Sequence, residues 1–426
     1  MGQKITSFFN ITLILNIFMG GVLLLTSPFE FYLGYIFILF FLLFYILHYD
    51  NLHSNSSFLI IMLILTLSSL VNIYFGKNTF PLMTKQVLGI LITGIAYNLL
   101  IKINKNDIDR LFKIYLRIAF FVSVIGIFQE ISYITGFKMG YDYSWILKKW
   151  YVTTDMGGLL IRVNSVFLEP SHYAISMAPA FFVALLNVFR RDSPYSQAMW
   201  GIWGSLIIIL SYILTFSAMA YLAIIISLLF LCNVKRPRNL LILSLIIPIL
   251  IYAAYCFIPE IRSRIDSIIG LVTGSKKIGG AHFSLYTYAS NGFVMCQSFM
   301  DSPLFGHGFG SHPVSYDAYI HTNGRFMDGY PEANKMDASS LLLRLLSETG
   351  LFGTIAVFYF IFRFRLKIST SHKNNLQIIN NSILILFVLQ LLKQGHYFYN
   401  GLFFFVWMYY FSHQRFFSEK VERAQC

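Results

Sequence analysis

Long unbroken apolar runs decide what this chain can become. Leucine, isoleucine and phenylalanine recur in stretches of about 20 residues, the length at which a helix crosses the hydrocarbon of a bilayer. Only 12% of the 426 residues are charged and 57% are hydrophobic, whereas a soluble domain carries about 25% charged residues. Mean hydropathy is +0.65. In lipid the backbone must satisfy its own hydrogen bonds, and uninterrupted runs of this length do so as helices. The fold class is therefore an all-α polytopic membrane protein. About twelve transmembrane helices are expected, near 7–26, 28–48, 57–76, 80–101, 112–135, 173–189, 198–215, 217–232, 239–258, 339–362, 376–393 and 396–412. The two around Ser217 are short and meet in a tight hairpin at Thr215-Phe-Ser-Ala218.

Charge placement orients this stack. The net charge is +13, which in a soluble protein would suggest nucleic acid. Here the cations sit in short connections, where topology and anionic lipid account for them. With the N-terminus inside, the basic connections all fall on the cytoplasmic side. They hold Lys102, Lys105, Arg110 and Lys113; Arg190 and Arg191; Lys235, Arg236 and Arg238; and Arg363, Arg365, Lys367 and Lys373. The connection at Tyr49-Asp50 has no Lys or Arg and is the exception. Lys4 ahead of the run Phe8 to Leu25 resembles a signal peptide, but no small-residue cleavage site follows, so an uncleaved first span is expected. Cys232, Cys256, Cys296 and Cys426 show neither CxxC pairing nor metal spacing. One membrane domain covers 1–426, with no internal repeat and no soluble domain.

Two large segments then face outward, 136–172 and 259–338. The first is aromatic, with Tyr141, Tyr143, Trp145, Trp150 and Tyr151. It ends in Arg162-Val-Asn-Ser-Val-Phe-Leu-Glu169-Pro170-Ser171-His172-Tyr-Ala174, where a cation, a carboxylate and a helix-opening proline meet just ahead of an apolar run. Proline suits the first helical position and polar neighbours can satisfy free amides there. A charge pair at the membrane surface is costly to keep without a use, although a loop salt bridge plus a helix cap would use the same residues. The second segment begins with Ile258, Ile261, Ile265, Ile268 and Val272 at helical spacing, with Arg262, Arg264 and Asp266 between them. That pattern is an amphipathic helix, lying in the membrane interface or packed on the spans. Pro303-Leu-Phe-Gly306-His-Gly308-Phe-Gly310-Ser is a glycine-rich turn without the strand and helix of a dinucleotide fingerprint.

An outward-facing membrane enzyme has no nucleotide supply, so its substrate arrives already activated, with lipid-linked pyrophosphate sugars the first candidates. Transfer from such a donor needs cations for the departing pyrophosphate, a base for the attacking hydroxyl and aromatic rings against the sugars. Arg162 is the first candidate for pyrophosphate, because a guanidinium grips two phosphate oxygens at once. Arg344, inside the tenth span, is the second; its alternative is pairing with Glu348 one helical turn along. Lys393, at the outer end of the eleventh span, is the third, with snorkelling as its alternative. Glu169 leads the candidate bases, followed by Asp337 and His396. Burial would raise the Glu169 pKa and Arg162 would lower it. Tyr141, Trp145, Trp150 and Tyr397 are the candidate sugar platforms. His282, His307, His312 and His321 lack the carboxylate spacing of a metal site. Asp107-Ile-Asp109 has the DxD spacing of metal-dependent glycosyltransferases but falls in a basic connection, where solvated charge is expected.

The Arg162 to Ala174 pattern, Arg-x-x-Ser-x-Phe-x-Glu-Pro-Ser-x-x-Ala, resembles the signature of Wzy-type polysaccharide polymerases, the O-antigen polymerases, and more distantly the O-antigen ligases. Pro303 to Ser311 and Asp337 to Gly353 resemble the same group, and Lys393 to Tyr397 echoes it loosely. The resemblance implies a GT-C-like fold with two periplasmic segments in the bacterial inner membrane, both termini cytoplasmic. It implies a polymerase that moves the growing glycan from undecaprenyl pyrophosphate onto the non-reducing end of the next lipid-linked repeat unit. No metal or other cofactor is expected, no nucleic acid, and a chain-length regulator protein is a candidate partner. Ser339-Ser340 stands where ligase-type relatives have a His-Asn pair, which weakens the ligase alternative and shifts the base to Glu169. No arginine follows Ser284 where many relatives have one. A flippase for the same lipid-linked sugar is the alternative from another class; it would show two related halves and charges spread through many spans.

Overall fold

The computed structural model describes residues 3–25, 31–49, 55–147, 155–156, 160–190, 193–231, 245, 248–249, 252, 255–256, 259–275, 277–326, 329–330, 332–367, 374–398 and 401–425. The expected span 239–258 lies almost wholly outside the described residues. The helices are α1 (Gln3–Leu15), α2 (Leu33–His48), α3 (Ser56–Tyr74), α4 (Phe80–Ile103), α5 (Ile108–Ile134), the single turn α6 (Lys138–Tyr141), α7 (Pro170–Phe189), α8 (Gly201–Ile213), α9 (Ala218–Leu231), α10 (Pro259–Val272), α11 (Phe283–Asp301), α12 (His312–Tyr319), α13 (Leu341–Arg363), α14 (Asn375–Lys393) and α15 (Leu402–Gln425). Among the described residues, α3, α4, α5, α7, α13 and α14 are long and apolar enough to cross a membrane. The chain is a polytopic membrane protein of the all-α class, with almost no strand.

Two expectations need correction. The first span does not run as one helix over 7–26. After α1 and a 3-10 turn at Asn16–Phe18 the chain forms a small hairpin of β1 (Leu23–Leu25) and β2 (Phe31–Tyr32). Gly20-Gly21 breaks the helical run, and Gly21 lies against Leu168, where a Cβ would come within 3.0 Å of that side chain. At the other terminus, α15 continues past 412 to Gln425, with Arg415 bonded to Glu419 one turn on at 3.0 Å. The expected hairpin between the two short helices is present, turning at Phe216 with φ 45°.

α7 and α14 are the two central helices, each with most of its surface buried. Small residues on α7 (Ala174, Ala178, Ala180, Ala184) let neighbours approach closely. Tyrosine hydroxyls tie the neighbours to it: Tyr115 of α5 donates to the Ser176 carbonyl at 2.7 Å and Tyr212 of α8 to the Ala174 carbonyl at 2.8 Å. Trp407 of α15 donates to the Gly94 carbonyl of α4 at 2.7 Å.

Among the described residues, three of the basic connections, those around Asp107, Tyr195 and Asn375, meet at one end of this bundle. Arg415 lies 3.7 Å from Asp107, Asn375 and Tyr195 both donate to Asp109, and Asn10 and Asn104 exchange bonds of 2.8 and 2.7 Å. Asp109 is therefore a clasp between three connections, not the solvated charge expected of the DxD pair. Asp107 accepts from the Arg110 amide as the cap of α5. The opposite end carries the two large segments, and α7 begins, α13 begins and α14 finishes there.

Candidate active site

Each of those three helix ends brings one charged residue. α7 opens with Pro170 at its first position, as its fixed φ favours. Glu169 occupies the N-cap position, yet its side chain makes no capping bond. Its Oε2 instead accepts from Ser171 Oγ at 2.9 Å, and the side chain is 57% exposed. A cap is thus not what the carboxylate does. The stretch before it is held rigidly by α5: Gln129 Oε1 accepts from the Asn164 and Ser165 amides at 3.2 and 2.8 Å, and Glu130 Oε1 from the Ile161 amide at 3.2 Å. The Val163 amide donates to the Leu214 carbonyl at 3.0 Å. Arg162, half-buried, rides on this clasped segment.

Around Glu169 the charges converge. His172 Nε2 lies 3.9 Å from its Oε2. That imidazole, with Lys393, the Ser171 hydroxyl and Arg162 adding to it, holds the Glu169 carboxyl below the usual range against partial burial. Asp337, three residues before the cap of α13, goes the other way: burial pushes its carboxyl up, although the Ser339 amide, Arg344 and Lys393 all favour the ionised form. His396 Nε2 is 4.0 Å from Asp337 Oδ2. The Lys393 ammonium sits 5.7 Å above the Tyr288 ring, and the Tyr288 hydroxyl donates to the Leu392 carbonyl. Arg162, Glu169, Asp337, Lys393 and His396, drawn from positions up to 234 residues apart in sequence, share one partly open patch.

A dry polar layer supports that patch. Arg344 is fully buried; its Nε donates to Glu348 Oε1 at 2.9 Å and its Nη1 to the Gly395 carbonyl at 3.0 Å. The Tyr397 ring covers the guanidinium at 4.7 Å and its hydroxyl donates to Glu348 Oε2 at 2.9 Å. Glu348 also accepts from the Gly310 and His312 amides at 2.8 and 3.3 Å. Both oxygens of the buried carboxylate thus accept two bonds each, which is the condition for keeping such a pair.

The glycine-rich turn is what reaches it. α13 kinks at Gly350, with φ 59° and ψ −153°, which turns helix amides and carbonyls outward. The turn captures them: His307 and Gly308 amides donate to the Ser347 and Glu348 carbonyls at 3.0 and 2.8 Å, and the Leu351 and Phe352 amides donate to Pro303 and Leu304 at 2.9 Å each. Gly306, with φ 62°, lies so close that a Cβ would meet the Glu348 carbonyl carbon at 2.5 Å. The two motifs read separately in the sequence are one packed unit.

Not every expected residue faces the patch. Arg344 is committed to Glu348 and Gly395, and Tyr397 is buried against Arg344, so neither presents itself to a ligand. Trp145 is exposed, and Tyr141 packs edge-on to Tyr133 at 5.2 Å; Trp150 lies outside the described residues. His312 is buried between Ser347 and Asn291, each at 2.9 Å, and burial drives its pKa down to about 3. His307 bridges Ser315 and Asp301, and His282 caps α11. Among the described residues no three His, Cys, Asp or Glu side chains cluster as metal ligands do. His172 and Tyr288 join the patch although the sequence reading did not single them out. His172 carried a signal, since it stands three positions after Glu169 on one helix face; Tyr288 had none, as only the fold brings it to Lys393.

Residues 203–358 match the family model Wzy_C, described as O-antigen ligase. The match spans α8 to most of α13 and includes the glycine-rich turn, Asp337, Arg344 and Glu348, while the Arg162 to Ala174 segment lies before it. Comparison with curated proteins gives no significant match. The chain is related to the O-antigen ligases and polymerases.

Proposed function

We propose that the chain is a polysaccharide polymerase that transfers a growing glycan from undecaprenyl pyrophosphate onto the next lipid-linked repeat unit. The observation that carries this reading is a partly open carboxylate, Glu169, at the end of a membrane bundle with His172 3.9 Å from it and with Lys393 and Arg162 near enough for their charge to help lower its pKa. The acceptor hydroxyl attacks C1 of the donor sugar. Its proton passes to Glu169 as the C1–oxygen bond breaks, and the electron pair leaves with the pyrophosphate, which Arg162 and Lys393 neutralise. Pyrophosphate bound there would cancel the cations that hold Glu169 down, so the carboxylate becomes more basic as the donor binds. Arg344 acts beneath, positioning the Lys393–His396 segment through Gly395. No step calls on a metal.

The site end is taken as periplasmic and both termini as cytoplasmic in the bacterial inner membrane. The meeting of three basic connections at the opposite end supports this. The description of the matching family favours a second reading, a ligase that moves the finished glycan onto lipid A–core.

Purified protein given undecaprenyl-pyrophosphate-linked repeat units alone, with products sized on a gel, separates them. A ladder from the wild type and none from folded Glu169→Gln is expected. No ladder until lipid A–core is added would replace the polymerase with the ligase. A ladder from both proteins would move the base to Asp337 or His396.

A further inference from the structure

α11 serves two neighbourhoods. Tyr286 and Val294 pack into a small apolar cluster with Tyr316 and Phe326. Thr287, Tyr288 and Asn291 lie on a different face and meet Ser339 and Leu392 beside the open patch. Asn291 is fully buried, and a polar side chain so placed has to find its partners inside the protein. Its Nδ2 donates to the Thr287 and Ala333 carbonyls at 2.8 Å each and to Ser339 Oγ at 3.2 Å. With those acceptors around Nδ2, Oδ1 is the atom turned to His312, and it accepts from Nε2 at 2.9 Å. His312 Nδ1 in turn accepts from the Ser347 hydroxyl at 2.9 Å. One amide thus ties α11 to α12, through His312 to α13, and to the chain that leads into α13.

That chain is strained. Glu332, Asn334, Ala338 and Ser339 have φ of 55°, 54°, 56° and 59°, the left-handed region that few side chains other than asparagine enter. Such backbone persists only where its surroundings over-determine it. Asn291 grips it at Ala333 and again at Ser339. The turn at Ala338 and Ser339 brings the Ser339 amide to Asp337 Oδ1 at 3.1 Å. The other oxygen, Oδ2, is then the one that faces His396, 4.0 Å away.

We propose that Asn291 is a positioning residue for glycan transfer: its hold on Ala333 and Ser339 keeps the strained chain closed and aims Asp337 Oδ2 at His396 in the patch. This rests on the reading of the patch as the site of transfer. Strain stored there fixes one carboxyl oxygen, so the other meets the substrate already oriented. Asn291 is buried and acts through Ser339 and Asp337, so its effect should vanish once the Asp337 carboxyl is gone.

The test is a double-variant cycle on full-length protein in lipid nanodiscs. Transfer from undecaprenyl-pyrophosphate-linked repeat units is followed on gels, with and without lipid A–core. Asn291→Ala should slow transfer by about tenfold or more, but by less than about twofold when Asp337→Asn is already present. Ser339→Ala, which deletes only the hydroxyl, should act in the same direction and decides the matter if Asn291→Ala does not fold. Ala338→Gly gives the readout that a merely structural role would not move. Glycine relaxes the φ of 56°, so the unfolding temperature should hold or rise while transfer slows. Wild type that transfers to neither acceptor removes the reading of the patch, and this inference with it. With wild type active, equal losses from Asn291→Ala in both backgrounds would overturn the positioning role alone. So would Asp337→Asn transferring as fast as wild type, or full transfer by Ala338→Gly.

Discussion

Gly395 and Asp337 touch backbone to backbone: a Cβ added at Gly395 would overlap the Asp337 carbonyl oxygen. Fifty-eight residues apart in sequence, they lock the Lys393–His396 segment against the approach to α13. Gly395→Ala must therefore push Lys393 and His396 away from Asp337. The expected result is a protein that still inserts but loses roughly 10²-fold in polymer formation, the usual effect of a displacement near 1 Å at a reacting centre. Product gels at matched protein level would show it, and full activity in Gly395→Ala would mean that this segment is not part of the site.

Arg344 and Glu348 form a buried pair, so removing one partner is worse than removing both. Arg344→Ala strands the Glu348 carboxylate and should cost about 3–5 kcal/mol, whereas Arg344→Met with Glu348→Leu removes the stranded charge but leaves the Gly310 and His312 amides and the Tyr397 hydroxyl without their acceptor, so it should recover only part of that loss. Thermal unfolding in detergent measures both. The double variant should fold yet polymerise poorly, because Gly395 loses the 3.0 Å bond that holds it.

Much of this site is legible in the sequence, and the limits of legibility are physical. Charges kept beside apolar runs point to Arg162, Glu169, Asp337, Lys393 and His396, because lipid makes such charges costly. Their sharing of one patch follows from α7, α13 and α14 meeting at one end, which charge placement in the connections already implies. Arg344 is ambiguous for a definite reason: spacing of four residues from Glu348 fits both a phosphate ligand and a helical ion pair. The kink at Gly350 and the docking of Gly310 on Glu348 decide it, and both are long-range events. The Gly20-Gly21 break is readable but outweighed by hydropathy, which counts apolar residues without asking how the backbone turns.

The glycine-rich turn should be intolerant where its φ is positive and its neighbours close. Gly308, with φ +95°, would place a Cβ 2.7 Å from the Ser69 Cα on α3. Gly308→Ala should cost about 1–3 kcal/mol in strain alone, with more from parting α3 and the turn. Gly324, which has open space around it, is the control: Gly324→Ala should leave the unfolding temperature unchanged.

Asp337 should weaken the fold at neutral pH. Its carboxyl is raised by burial, so in the unfolded chain it releases its proton at lower pH than in the folded one. Its contribution is complete below the ordinary aspartate value of about 3.9 and is lost as pH rises through the folded value. Asp337→Asn should therefore unfold at a higher temperature than wild type at pH 7, with the gap closing as the pH falls toward 4. A constant difference across that range would show that Asp337 is not buried as an acid.

His172 offers the sharpest test of how the Glu169 carboxylate is tuned. It is the leading cause of the lowered Glu169 pKa, ahead of Lys393 and Arg162. A depressed carboxyl stays ionised as pH falls through the ordinary glutamate range, so a base of this kind remains competent into mildly acidic solution. His172→Gln removes a positive neighbour, the carboxylate loses that stabilisation, and its pKa rises. The acidic limb of kcat/KM for polymer formation should then move to higher pH, because protonation disables the base sooner. Lys393→Gln should move the limb the same way but will also weaken substrate binding, raising KM, if Lys393 meets pyrophosphate. His172→Gln should leave KM for the lipid-linked donor nearly unchanged. An acidic limb that stays fixed in His172→Gln would mean that the titrating group is not Glu169, and would transfer the base to the Asp337–His396 pair.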